Sequence, residues 1–192
     1  MEAFAVYKEP RRKELIDGQI VSMSPRATPN HNSVIVCLTR IFSSYLRGKT
    51  CQVFIDTDVY LTKKEHYVPD IMIVCDRNKI KHNGIHGAPD LVVEVLSRST
   101  ANYDRGHKKA IYAQCGVKEY WLITPNERTI EVHLLKDGQY VFDRTYAVFF
   151  DYELEDMEPM YLSQVVDSFS PSIFPDMVVV LEEVFENVIL HP

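Results

Sequence analysis

No window of the sequence approaches the ~18 uninterrupted apolar residues that a membrane-spanning helix needs, so no such helix is expected. The start, Met1 to Arg12, is charged and lacks the apolar core of a signal peptide, which gives a cytosolic expectation. Cysteine is sparse: Cys37, Cys51, Cys75 and Cys115 form no CxxC pair, unlike a zinc knuckle or a dense disulfide framework, and are read as buried thiols. Lysine and arginine are missing altogether from residues 151–192, which carry ten acids.

What is present belongs to an ordinary globular chain. At 192 residues, 46% apolar and 25% charged, the sequence fits one domain spanning 1–192 and excludes wholesale disorder. The net charge of −6 is uneven: with −10 in the last 42 residues, the first 150 carry +4. From Asp76 to Lys118, eight lysines and arginines face four acids, so this stretch can meet a phosphate backbone or simply balance the acidic tail.

Periodicity orders the elements. Val34, Ile35, Leu38, Ile41, Phe42 and Tyr45 recur at helical spacing over 31–46, with Asn30 as the expected cap and Gly48 as the stop. Residues 52–61 and 67–75 read as a β-hairpin, and Leu91 to Leu96 as a central strand interrupted by one acid. A helix over 103–115, closed by Gly116, leads to a strand over 119–124. Lys136-Asp137-Gly138 joins two more strands. Residues 14–23 predict a helix end and one strand about the turn Asp17-Gly18, and 171–187 a short strand with a terminal amphipathic helix. The order helix, three strands, helix, strand describes a mixed α/β sheet with a helical crossover.

Glu94 is the anomaly. An ionised carboxylate inside Leu91-Val92-Val93-Glu94-Val95-Leu96 loses several kcal/mol of hydration unless a cation or donors replace the water. Period-2 geometry puts Asp90 on the same face. Asp70, opening the run after Pro69, converges on Glu94 if the two strands are neighbours, and a paired carboxylate site of this kind suits Mg²⁺ or Mn²⁺. The alternative is pairing of Glu94 with Arg98 or Lys108. Lys108 shares a helix face with Ile111 and Tyr112, so it points inward, to the site or along the apolar surface.

The segment Pro89-Asp90-Leu91-Val92-Val93-Glu94-Val95-Leu96-Ser97, with Ser99-Thr100, Asp104, Lys108, Tyr112 and Gly116-Val117-Lys118-Glu119-Tyr120-Trp121-Leu122, resembles the Uma2 family (DUF820) of the PD-(D/E)XK restriction-endonuclease-like superfamily. The likeness extends to Glu14-Leu15-Ile16-Asp17-Gly18, His31, Ile173-Phe174-Pro175 and Phe185. It implies an αβββαβ nuclease core with an added antiparallel hairpin and a C-terminal helix. Asp70 is then the PD aspartate and Glu94 the (D/E)XK acid, with the Val95 carbonyl as a further metal ligand. The usual lysine position holds Leu96, and Lys108 takes its place from the following helix. The resemblance also implies roles for Glu14 at the metal site and for His31 at a phosphate or nucleophilic water. The expectation is a Mg²⁺- or Mn²⁺-dependent DNA endonuclease, with a homodimer compatible with duplex cleavage. The rival is a non-catalytic DNA-binding or assembly module on the same fold.

Overall fold

In the computed structural model, residues 13–22 and 27–189 are described; Met1 to Arg12 and Met23 lie outside them. The described residues begin with strands β1 (Lys13–Ile16) and β2 (Gln19–Ser22), paired antiparallel across Asp17 and Gly18, both at positive φ. The expected helix end is therefore a strand: Asp17-Gly18 closes a two-residue hairpin, which sets both flanks extended. Helix α1 (Pro29–Leu46) starts on Thr28, whose hydroxyl accepts from the His31 amide. Asn30 is not the cap. Its side chain is buried and ties the Ile189 backbone through both its amide nitrogen and its oxygen.

Strands β3 (Gln52–Ile55), β4 (Val59–Tyr60), β5 (His66–Tyr67) and β6 (Ile71–Val74) are the expected hairpin, divided between two sheets. Asp56 at φ 49° breaks the first arm, so β3 pairs with β6 while β4 pairs with β5. Next come β7 (Ile80–Lys81), β8 (Gly84–His86) and β9 (Leu91–Val95). The crossover holds α2 (Ala101–Tyr103), a π-helical turn (Asp104–Lys108) and α3 (Lys109–Cys115), ending on Gly116 at φ 90°. Strands β10 (Glu119–Thr124), β11 (Thr129–Lys136) and β12 (Gln139–Ala147) follow, the last two joined through Asp137 and Gly138 at positive φ. The chain finishes with α4 (Asp151–Glu155), α5 (Pro159–Leu162), β13 (Ser168–Phe169), β14 (Val179–Val180) and α6 (Leu181–Phe185).

The main sheet runs β12-β11-β10-β9-β6-β3, and a smaller one runs β2-β1-β5-β4-β8-β7. β9 lies between β6, antiparallel, and β10, parallel, which is the pairing a helical crossover permits. All five of its residues are buried, as its composition predicts. Val93, Val95, Trp121 and Ile123 pack on one face under Val34, Leu38 and Phe42 of α1 and Val184 of α6. Val92, Tyr120 and Leu122 pack on the other, with Tyr112 of α3 and with Val59, Tyr67 and Ile85 of the smaller sheet. Strand alternation thus hands Glu94 to the side occupied by the π turn and α3.

The cysteines depart from expectation. Cys51 and Cys75 face each other just beyond the Gln52–Val74 pair of the β3–β6 ladder and form a disulfide; Cys37 is free and buried, Cys115 free and half-buried. Only the antiparallel register brings those two together, and sequence spacing does not reveal a register. No described helix is long and apolar enough to cross a membrane.

Candidate active site

Glu94 is 4% exposed in the middle of the main sheet. The compensation its burial demands comes from the crossover: Lys108 Nζ and the Tyr112 hydroxyl both donate to Glu94 Oε1, each at 3.1 Å. They stand four residues apart on one helical face, the arrangement read from their spacing. The π turn supplies Lys108. Such turns insert a residue into the helical ladder and re-aim side chains, and they recur at functional sites.

Lys108 gathers further acids. Its amine lies 3.1 Å from Glu14 Oε1 and 3.7 Å from Asp104 Oδ1, and all four side chains are nearly inaccessible. Glu14 is anchored by the Val68 amide, which donates to the same oxygen at 3.1 Å. Burial alone lowers the affinity of Lys108 for its proton, but Glu94, Glu14 and Asp104 together push it well up, so the amine stays charged. Burial pushes Glu94 well above the usual carboxylate range; Lys108 opposes this, and the charges of Asp104, Asp70 and Glu14 add to it. Asp104 is raised too, by burial, with Lys108 and the Thr100 side chain opposing.

Asp70 arrives from the neighbouring strand. Ile71 is registered with Val93, so the preceding Asp70 comes level with Glu94 at the mouth of the β6–β9 ladder. Its Oδ2 accepts from the Val95 amide at 2.7 Å and lies 3.3 Å from His31 Nε2, contributed by the first turn of α1. Burial would lower the His31 pKa, but hydrogen bonding to Asp70 and its charge, then Asn32 and the Val95 backbone, raise it above the ordinary imidazole value.

The residues singled out from the sequence therefore assemble in one place. Glu14, Glu94 and Lys108 are in direct contact. Asp70 and His31 are paired beside them, and Val95 is held by Asp70. Asp90 does not join them: it sits at the opposite end of β9, where it accepts from the Cys75 amide at 2.8 Å and pairs with Lys118 at 2.7 Å. Sharing a strand face did not suffice, because the four residues from Asp90 to Glu94 span ~13 Å. Asp104 and the hydroxyl of Tyr112 are additional members, and their i,i+4 spacings from Lys108 were the available signal.

Four carboxylates thus surround one ammonium and one imidazole. Their oxygens are hard donors in negative excess, the chemistry that suits Mg²⁺ or Mn²⁺ over a soft-ligand metal. Asp70 and Glu94 are the acids that could hold such an ion, with the Val95 carbonyl next to Glu94 in the chain.

Residues 1–163 match the Uma2 family, described as "Putative restriction endonuclease". Two uncharacterized proteins of Synechocystis sp. are similar: one is 32% identical over 73% of this chain and 76% of its own length, the other 29% over 58% and 66%. Among solved structures, a "putative nuclease belonging to DUF820" from Anabaena variabilis superimposes with a TM-score of 0.69 at 18% identity, covering 94% of this chain and 95% of that one. The fold is thus nuclease-like, as the resemblance implied, and with the match extending over most of its length the chain belongs to the Uma2 family.

Proposed function

We propose that the protein is a divalent-metal-dependent endonuclease that hydrolyses DNA phosphodiester bonds, with Asp70, Glu94 and the Val95 carbonyl holding Mg²⁺ or Mn²⁺. The observation that carries this reading is the Lys108 amine beside Glu94 Oε1: it restores, from the next helix, the cation that Leu96 cannot supply. The ion supplies a bound water of lowered pKa and charge neutralisation on the scissile phosphate.

The protein's own groups do the rest. Tyr112 and Lys108 fix one oxygen of Glu94, so that Oε2 is the oxygen that would hold the ion. Lys108 keeps a full positive charge in a water-poor pocket, where it stabilises negative charge developing on phosphate oxygens more strongly than in water. His31, whose Nε2 pairs with the Asp70 carboxylate, positions that acid and stands beside a phosphate oxygen or the nucleophilic water. Glu14 and Asp104 hold the lysine in place.

One observation favours a second reading, a DNA-binding module without turnover: the Lys108 amine is already engaged by three carboxylates. The test is nicking of supercoiled plasmid with Mn²⁺ by wild type, Asp70→Asn, Glu94→Gln and Lys108→Met, alongside binding measured against salt. Chelator-sensitive nicking in wild type alone is expected. Equal residual nicking in all four exposes a contaminant and refutes the proposal, and salt-sensitive binding without nicking under any divalent ion establishes the second reading instead.

A further inference from the structure

Beside this site lies a second set of ligand-type side chains that the proposed hydrolysis does not use. Asp17, at the turn between β1 and β2, Glu65, just before β5, and His107, in the π turn, bring one ligand atom each to within 4.8 Å of one another. His107 Nε2 lies 3.8 Å from Glu65 Oε2 and 3.9 Å from Asp17 Oδ2.

Two independent features mark the set as built for a cation. First, His107 Nε2 is shielded from solvent and has no hydrogen-bond partner among the described residues, although two carboxylates face it. An orphaned buried ring nitrogen forfeits ~1–3 kcal/mol of desolvation unless something binds there. Secondly, Glu65 is 5% exposed, and among the described residues neither lysine nor arginine pairs with it. Its Oε1 accepts from the Asp17 amide at 3.0 Å, and its Oε2 accepts from the Tyr67 hydroxyl. Those donors orient the carboxylate without neutralising it. The Tyr103 ring stacks on His107 and fixes its plane, centroids 5.5 Å apart.

We propose that Asp17, Glu65 and His107 form a zinc site, separate from the Asp70–Glu94 site, that clamps the β1–β2 turn and the π turn onto β5. One imidazole nitrogen and two carboxylate oxygens, with water as the fourth ligand, form a tetrahedral donor set of the kind Zn²⁺ takes, whereas Mg²⁺ prefers six oxygens. Atoms bound tetrahedrally at ~2.0–2.1 Å lie ~3.3–3.4 Å apart. The His107 contacts therefore close by roughly half an ångström, and the Asp17 side chain, 72% exposed on its turn, is free to swing in. The clamp matters to the neighbouring site because β1 carries Glu14 and the π turn carries Lys108.

The experiment uses tag-free full-length protein, stripped with chelator and titrated with Zn²⁺, with bound metal, the thermal midpoint and the visible spectrum of the Co²⁺ form recorded. The double variant Asp70→Asn/Glu94→Gln, which lacks the other proposed site, is expected to bind one equivalent, with a raised midpoint and a tetrahedral Co²⁺ spectrum. His107→Gln and Glu65→Gln, each added to that double variant, are expected to lose the equivalent while keeping the circular dichroism of the chelator-treated parent. Asp17→Asn, at an exposed turn, serves where either of those fails to fold. Binding by the double variant that survives His107→Gln, or no binding by the double variant at all, overturns the zinc site. The Asp70/Glu94 variant separates this outcome from failure of the nuclease reading.

Discussion

Replacing Lys108 by Met removes one charge and keeps most of the stem, leaving Glu94, Glu14 and Asp104 buried without their shared cation. Breaking a buried ion pair from one side costs about 3–5 kcal/mol, a large share of the ~5–15 kcal/mol that holds a domain folded. The loss depends on pH. Glu94 already titrates well above 4.5, and without the amine it is raised further, so the folded variant takes up a proton that the unfolded chain releases. Stability gained from a raised carboxyl is present at low pH and fades as pH climbs through the folded value. The deficit is therefore largest near pH 8 and shrinks towards pH 5.5, by up to ~1.4 kcal/mol per pH unit for each proton involved. Urea denaturation of both proteins at the two pH values measures it. A loss below ~1 kcal/mol, or one equal at both pH values, refutes the buried carboxylate cluster as drawn.

Tyr112→Phe removes one of two donors to Glu94 Oε1; a loss of about 1.5–3 kcal/mol is expected in the same denaturation assay, with weaker Mn²⁺-dependent nicking. His133 is 4% exposed, both ring nitrogens lack hydrogen-bond partners among the described residues, and burial with the nearby Lys109 pushes its pKa down to about 4. As pH falls from 6.5 the unfolded chain gains a proton that the folded chain refuses, so ~3 kcal/mol is lost by pH 4. His133→Phe, packed among Tyr120, Tyr140 and Phe142, should flatten that part of the pH–stability curve. Gly84 sits at φ 135° with room for no side chain: a Cβ would lie 2.5 Å from the Asp58 carbonyl oxygen. Gly84→Ala should lose on the order of 3 kcal/mol, seen as a lowered thermal midpoint.

The parts of the fold legible in the sequence are those in which one local rule decides. Apolar period and a left-handed stop at Gly116 place α3, and the Asp137-Gly138 step places the β11–β12 turn. A run of β-branched residues broken by Glu94 marks the central strand. The site was legible for the same reason: a carboxylate among valines requires a cation, and a lysine four residues before a buried tyrosine provides one. What escaped depends on long-range pairing. Division of the first hairpin between two sheets turns on the backbone of Asp56. The Cys51–Cys75 bond depends on register, and exchange of Asn30 for Thr28 as the cap follows from a contact with Ile189, 159 residues away. Asp17 and Glu65 are brought together by the smaller sheet, whose two-residue strands leave almost no periodic trace, and His107 reaches them from the crossover packed against it.

The central claim is a divalent ion shared by two carboxylates from adjacent strands, and the most direct measurement is anomalous diffraction from crystals soaked in Mn²⁺. A manganese peak is expected within bonding distance of Asp70, Glu94 and the Val95 carbonyl oxygen, and it disappears in crystals of Glu94→Gln. Manganese density elsewhere, with Asp70 still bound to the Val95 amide and Glu94 occupied by Lys108 and Tyr112 alone, would contradict it.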